Sequence, residues 1–276
     1  MKLTYKSPKW DKELKNKEKV WKQLKGIPAL INLEKRLERM KVCDQQNYCS
    51  FYFNVHLSYE IAARDVYLSG NRGIKCSIAY TYLSGMAAIM GKLFDTSELK
   101  SQRHVTNAES IVCAFDLGLL QMIACNQAFP KTIEGMEHIY IHLFNQNEEK
   151  VKELLDSLEG EFDPKKPDNM WLGEGEKLRI EAILNRDEKK LQELLMKMIM
   201  EYRKEPVGYS QILDIYSIAF IKLAKRYGME IKINVIEIPE QFFDDEICKE
   251  AIAKAELPFF DKALVALEER GIFFEA

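Results

Sequence analysis

Apolar residues recur at helical spacing along almost the whole chain, and strand-like alternation is nearly absent. Trp10 to Lys25 is a lysine-rich, weakly amphipathic stretch anchored only by Leu14, Trp21 and Leu24. Pro28 suits the first turn of a second helix, whose stripe is Ala29, Leu30, Leu33, Leu37 and Met40. A longer helix is predicted from about Gln45 to Leu68, with Phe51, Val55, Tyr59, Ala62, Ala63 and Val66 on its face and Ser69-Gly70-Asn71 and Gly73 as its stop. Ile74 to Phe94 and Ala108 to Gln127 are the most apolar stretches. Both carry small residues (Gly85, Ala87, Ala88 and Gly91; Ala114, Gly118 and Ala124) that permit close approach, so the two are expected to pair at the centre.

Pro130 and Thr132 open a helix running to Phe144, and Asn145 to Asn147 separates it from another that ends near Leu158. The clearest interruption lies at 159–176, where Asp163-Pro164, Pro167-Asp168 and glycines flank Trp171; this predicts a surface loop. Leu178 to Asn185 and Lys189 to Arg203 read as a helical pair. Beyond Pro206-Val207-Gly208 lies a helix that is apolar around most of its circumference, with Ile212, Ile215, Tyr216, Ala219, Leu223 and Tyr227 at helical spacing. Leu213, Ile218, Phe220 and Ala224 widen that surface, so the helix needs neighbours on several sides. Lys222, Lys225 and Arg226 suit the negative end of its dipole, and Gly228 suits a left-handed closing residue. Ile231, Ile233 and Val235 alternate with Lys232 and Asn234 in a short extended segment near 230–238, ended by Pro239. Two shorter helices, about Asp244 to Ala255 and Pro258 to Glu269, complete the chain.

Around ten helices with short connections predict an all-α, irregular multi-helix array, with a helical-repeat-like arrangement as one form it could take. A tetratricopeptide spacing of about 34 residues is not met, because the recurring small and aromatic positions are missing. The order of apolar helix over Ile212 to Ala224, Lys-Arg-Tyr-Gly turn at Lys225 to Gly228, extended run to Ile238, then Pro239 with Phe242 and Phe243, resembles the C-terminal part of the immunity protein 49 family of bacterial polymorphic toxin systems. The resemblance is specific over Gln211 to Pro239 and diffuse elsewhere; the lysine-rich opening has no counterpart in it. It implies an all-helical protein that binds and neutralises a cognate toxin, with no catalytic motif to carry across. The expected organisation is a lysine-rich arm at 1–25 and a single helical immunity domain at 26–276.

At 276 residues the chain has room for a substantial core, and its net charge of −3 favours neither nucleic acid nor anionic membrane. The distribution is uneven: residues 1–25 hold nine lysines against Asp11, Glu13 and Glu18, whereas 237–276 hold eleven acids against Lys249, Lys254, Lys262 and Arg270. The basic arm reads as a solvated helix, since no nucleic-acid module follows it. Six cysteines, at 43, 49, 76, 113, 125 and 248, form no CxxC pair and read as reduced core thiols. The opening has no apolar export core and no stretch approaches a membrane span, so a cytoplasmic location is expected.

His56, Glu60 and Arg64 share a helix face at four-residue spacing, either as a local ion pair beside a histidine or as half a metal site; the ion pair is the plainer reading. His138 and His142, near Glu134 and Glu137, offer a second potential metal face, but Glu-x-x-His spacing of the carboxylate-bridged bundles does not occur. No catalytic residue, metal or cofactor is therefore expected. A helical metal-dependent enzyme using those histidines is the alternative, and a helical scaffold or regulator binding a peptide is a third reading. Asp116, inside an apolar helix, needs a buried partner, expected from the Ile74 helix. Glu237, Glu240, Asp244, Asp245, Glu246 and Glu250 cluster beside Phe242 and Phe243, an acidic surface with aromatic anchors suited to a basic toxin site. With Trp171, the residues Phe242, Asp244, Asp245, Glu246 and Glu250 are the toxin-binding candidates.

Overall fold

A computed structural model describes residues 8–25, 28–40, 48–69, 73–94, 136–158, 165, 174–202, 213–253 and 255–270. Among these, 79% are helical and none form a sheet, so the array is all-α. The predicted helix at Ala108 to Gln127, its expected pairing, Asp116 and Trp171 lie outside the described residues. No described helix is long and apolar enough to cross a membrane.

Helices α1 (Pro8–Gln23) and α2 (Pro28–Met40) both pack on α3 (Tyr48–Ser69), which forms the most extensive helix pair among the described residues with α4 (Gly73–Leu93). One small residue of α4, Gly91, meets this partner closely. A Cβ placed on Gly91 would sit 3.5 Å from the backbone nitrogen of Phe53 and 3.6 Å from the Cys49 carbonyl oxygen. Alanine therefore fits there and anything longer drives into the α3 backbone. Gly91→Leu is expected to cost about 1–3 kcal/mol while Gly91→Ala stays near neutral, read from urea unfolding midpoints.

Two further hairpins come next: α5 (Met136–Phe144) with α6 (Glu148–Ser157), and α7 (Glu174–Leu184) with α8 (Glu188–Tyr202). Their turns are the same device. Gln146 and Arg186 both take left-handed φ, 56° and 53°. The amide of Asn147 donates to the His142 carbonyl at 2.9 Å, and that of Asp187 to the Ala182 carbonyl at 2.8 Å. Asn147 and Asp187 then cap the next helix by accepting from the amides of Lys150 and Lys190. The matching sequences, HLFNQNEEKVKELL from 142 and AILNRDEKKLQELL from 182, share Asn, Glu, Lys, Glu, Leu and Leu at a constant offset. A repeat that a 34-residue period does not detect is thus present in two copies.

Helix α9 (Ile215–Arg226) contacts both hairpins, at α5 and α7. Every residue from Ile215 to Ala224 is buried, as its encircling apolar pattern requires. It begins at Ile215 rather than near Ile212, because the Asp214 side chain accepts the Ser217 amide at 3.0 Å and caps the first turn. It ends as predicted: Tyr227 is the cap residue and Gly228 takes φ +75°, with the Met229 amide donating to the Ala224 carbonyl at 3.0 Å. From Met229 to Glu237 burial alternates, with Val235 inside, Lys232 and Asn234 outside and no partner strand among the described residues; a turn at 236–237 ends the extended run before 238, and Glu237, Ile238 and Pro239 are all buried. A 3-10 turn (Glu240–Phe243) leads into α10 (Asp245–Ile252), which packs on α4, and α11 (Phe260–Glu268) ends the described chain.

The predicted loop at 159–176 is too long at its C-terminal edge. Glu174, Gly175 and Glu176 belong to α7, and the last two are buried. Glu174 and Glu176 suit the positive end of the helix dipole, and burial of Gly175 gives this glycine a packing role instead of a turn role.

Candidate functional site

The acidic C-terminal face is built by the 3-10 turn and α10. Cys248 and Ala251 turn inward against α4, which leaves Asp244, Asp245, Glu246 and Glu250 exposed, with Glu240 beside them. Asp244 caps α10, accepting the amides of Glu246 and Ile247, each at 3.0 Å. Asp245 pairs with Lys225 of α9 at 3.1 Å, and Glu250 with Lys75 of α4. Both pairs are more than half exposed on each side, so water screens them and they offset the local negative field only weakly. Glu240 and Glu246 extend the same face into solvent.

Two members of the predicted cluster do not belong to this surface. Phe242 is 0% exposed and packs in the main core, so it anchors the turn from within; only Phe243 remains half-buried. Glu237 is also buried. A 3-10 turn has three residues per turn, which sends Phe242 inward while its neighbours Gln241 and Phe243 lie toward the rim. The surface candidates that stay exposed are Asp244, Asp245, Glu246 and Glu250.

The histidine-bearing faces resolve into local contacts. Arg64 pairs with Glu60 at 2.9 Å, one helical turn apart. His56 is buried, its Nδ1 2.9 Å from Ser84 Oγ and 3.1 Å from the Ser84 carbonyl oxygen, while the Ser84 hydroxyl donates to the His56 carbonyl at 3.2 Å. This set fits a neutral ring protonated on Nδ1, and burial holds its pKa below the ordinary value. His142 is half-buried and likewise lowered, by burial and by Lys150. The side chain of His138 lies outside the described residues. Among the described residues no three His, Cys, Asp or Glu side chains come together in a way that could hold a metal ion.

A polar junction inside the fold has no counterpart among the candidates read from sequence. Where α5, α7 and α9 meet, Tyr140, Glu176, Arg179 and Tyr216 are all buried. The Tyr140 hydroxyl donates to Glu176 Oε1 and lies 3.5 Å from the Tyr216 hydroxyl, which accepts from Arg179 Nη2 at 3.1 Å. The guanidinium also stands over the rings of Tyr216 and Phe220, 5.0 and 5.3 Å from their centroids. Burial pushes both tyrosines well above their usual range, and the Glu176 carboxylate adds to the effect. Burial likewise raises the Glu176 and Asp214 carboxyls, against the opposing pull of hydrogen bonds and Arg179. The sequence clue is Glu176 and Arg179 at i,i+3, hidden when Glu176 is assigned to the loop. With its side chains closed off from solvent, the junction joins three helices from within.

In comparisons with known proteins the chain matches no family model, no curated protein and no solved structure.

Proposed function

We propose that the protein is an immunity protein, which protects a bacterial cell by binding a cognate toxin domain and obstructing it. The observation that carries this reading is the family resemblance over Gln211 to Pro239. Two features of the fold support it. That segment supplies a helix buried from Ile215 to Ala224, so it acts as scaffold, and the acidic face beside it is exposed and mounted on α10, a helix fixed to the core. A stable complex would bury a total of about 1,600 Å². His56 and Glu60, on which the metal-enzyme alternative depends, are engaged by Ser84 and Arg64.

The test is co-expression with a candidate toxin domain, sought in the gene next to the one that encodes this chain. Protection of the cells and recovery of a stoichiometric complex are expected; undiminished killing rejects the proposal. On the same complex, replacing Glu240 and Glu246 together by lysine is expected to slow association about tenfold at low salt and to flatten its salt dependence, because opposite-charge steering acts mainly on the on-rate. Both residues are exposed, so stability should stay within about 0.5 kcal/mol of the parent. An unchanged on-rate would move the interface off this face.

A further inference from the structure

A helix closes its backbone hydrogen bonds on itself, so an extended segment in an all-helical fold must find partners elsewhere. Met229 to Val235 finds them only at its ends. The Met229 amide donates to the Ala224 carbonyl at 3.0 Å, the Glu230 amide to Glu188 Oε1 at 2.8 Å, and the Val235 carbonyl accepts the Ile238 amide at 3.2 Å. Between these points the amides of Ile231 to Val235 and the carbonyls of Met229 to Asn234 have no hydrogen-bond partner among the described residues. Such a row of backbone groups is a template for a second strand.

In an extended chain the backbone groups of successive residues point to opposite sides, and the side chains alternate between the two faces. Glu230 directs its amide to Glu188 of α8, so the side it shares with Lys232 and Asn234 faces that helix. The open side is therefore that of Ile231, Ile233 and the Met229 carbonyl. On the solvent face Glu230, Lys232 and Asn234 are exposed, and Lys232 pairs with Glu230 at 3.2 Å, each mostly in water. Charge then selects the partner strand. When a second copy runs antiparallel with the two-fold axis at Ile231, Glu230 of each chain stands opposite Lys232 of the other. Moving the axis by one residue sets Lys232 against Lys232 or Glu230 against Glu230, which is repulsive. In the Ile231 register the two Ile231 residues exchange backbone hydrogen bonds, and each Ile233 amide meets a Met229 carbonyl. Glu230 and Lys232 fall at the non-hydrogen-bonded positions, where opposed side chains are closest.

We propose that the protein forms a two-fold dimer by antiparallel pairing of Met229 to Ile233 with the same segment of a second copy, in the register centred on Ile231. The contact is isologous, so it closes on itself and does not propagate into a filament. It uses none of the acidic-face residues, and the inference is independent of what that face binds. Few residues pair, so the dimer is weak and its population rises with concentration.

Sedimentation equilibrium of the full chain at low salt, up to about 1 mM protein, is the test, since it registers a dimer with a dissociation constant of about 1 mM or below. Dimer is expected in the parent. Glu230→Lys and Lys232→Glu each bring like charges together at both cross-strand positions, and each is expected to weaken dimerisation at least about tenfold. The double exchange, and an equimolar mixture of the two single variants, should return it to within about threefold of the parent. Both side chains are exposed, so the fold itself is left intact. With rising concentration, amide exchange should slow at Ile231 and Ile233 and stay fast at Lys232 and Asn234. A chain monomeric throughout the range, a dimer indifferent to the single exchanges, a double exchange that does not restore it, or slowing at Lys232 and Asn234 instead would each overturn the proposal.

Discussion

Replacing Arg179 with alanine is expected to lower the free energy of unfolding by about 3–5 kcal/mol. Three costs coincide at this position. Arg179 is among the largest fully buried side chains, so truncation leaves a cavity that the surrounding helices fill only in part. The guanidinium contacts with Tyr216 and Phe220 disappear. Asp214 also loses the cation that opposes its desolvation. Arg179→Met separates these terms, since it refills much of the volume without restoring the charge. If charge dominates, methionine recovers less than about half of the loss. Lysine is a poor replacement as well, because a point ammonium cannot both stack on the rings and donate in the plane of the guanidinium. The measurement is the urea midpoint at constant m-value, at several pH values. Without Arg179 the buried carboxyls are raised further, so the deficit should grow toward alkaline pH and shrink toward about pH 5. A change within about 0.5 kcal/mol would mean that the junction is open to water and that its charges are solvated.

The elements legible in the sequence are those whose local chemistry and burial agree. Pro28 starts α2, Asn145 to Asn147 separates α5 from α6, and Gly228 closes α9, each by a backbone requirement that the residue itself declares. The same holds for the encircling apolar pattern of α9, which forces the expectation of neighbours on several sides. Features that are not legible depend on partners distant in sequence. Glycines around Trp171 read as loop punctuation, yet Gly175 and Glu176 enter α7 because Tyr140, 36 residues earlier, supplies a buried donor to the carboxylate. Closure of the two hairpins falls to Gln146 and Arg186, non-glycine residues in the left-handed region, which glycine stops do not reveal. At the candidate site the exposed acids are legible from composition and spacing. The depth of Phe242 is not, since it depends on the tight 3-10 winding that precedes α10.

Phe242 gives the second large expected effect and separates scaffold from surface. Phe242→Ala should cost about 3–5 kcal/mol, the range for deleting a fully buried aromatic ring. The ring lies in the main core, and the backbone around it organises the entry to α10. The Phe242 amide donates to the Pro239 carbonyl at 3.1 Å, and the Cys248 thiol lies 3.4 Å from the Phe242 carbonyl oxygen. Loss of the ring therefore weakens the seat of α10 on α4, and with it the support for Asp244, Asp245, Glu246 and Glu250. If the proposed toxin binding holds, any loss of it in this variant should track the unfolded fraction and be restored under conditions that refold it. Glu246→Ala should behave oppositely, with stability within about 0.5 kcal/mol of the parent and any loss appearing in association alone. If Phe242→Ala instead kept its urea midpoint and lost affinity, the ring would be a direct contact and the inward placement of the turn would be wrong.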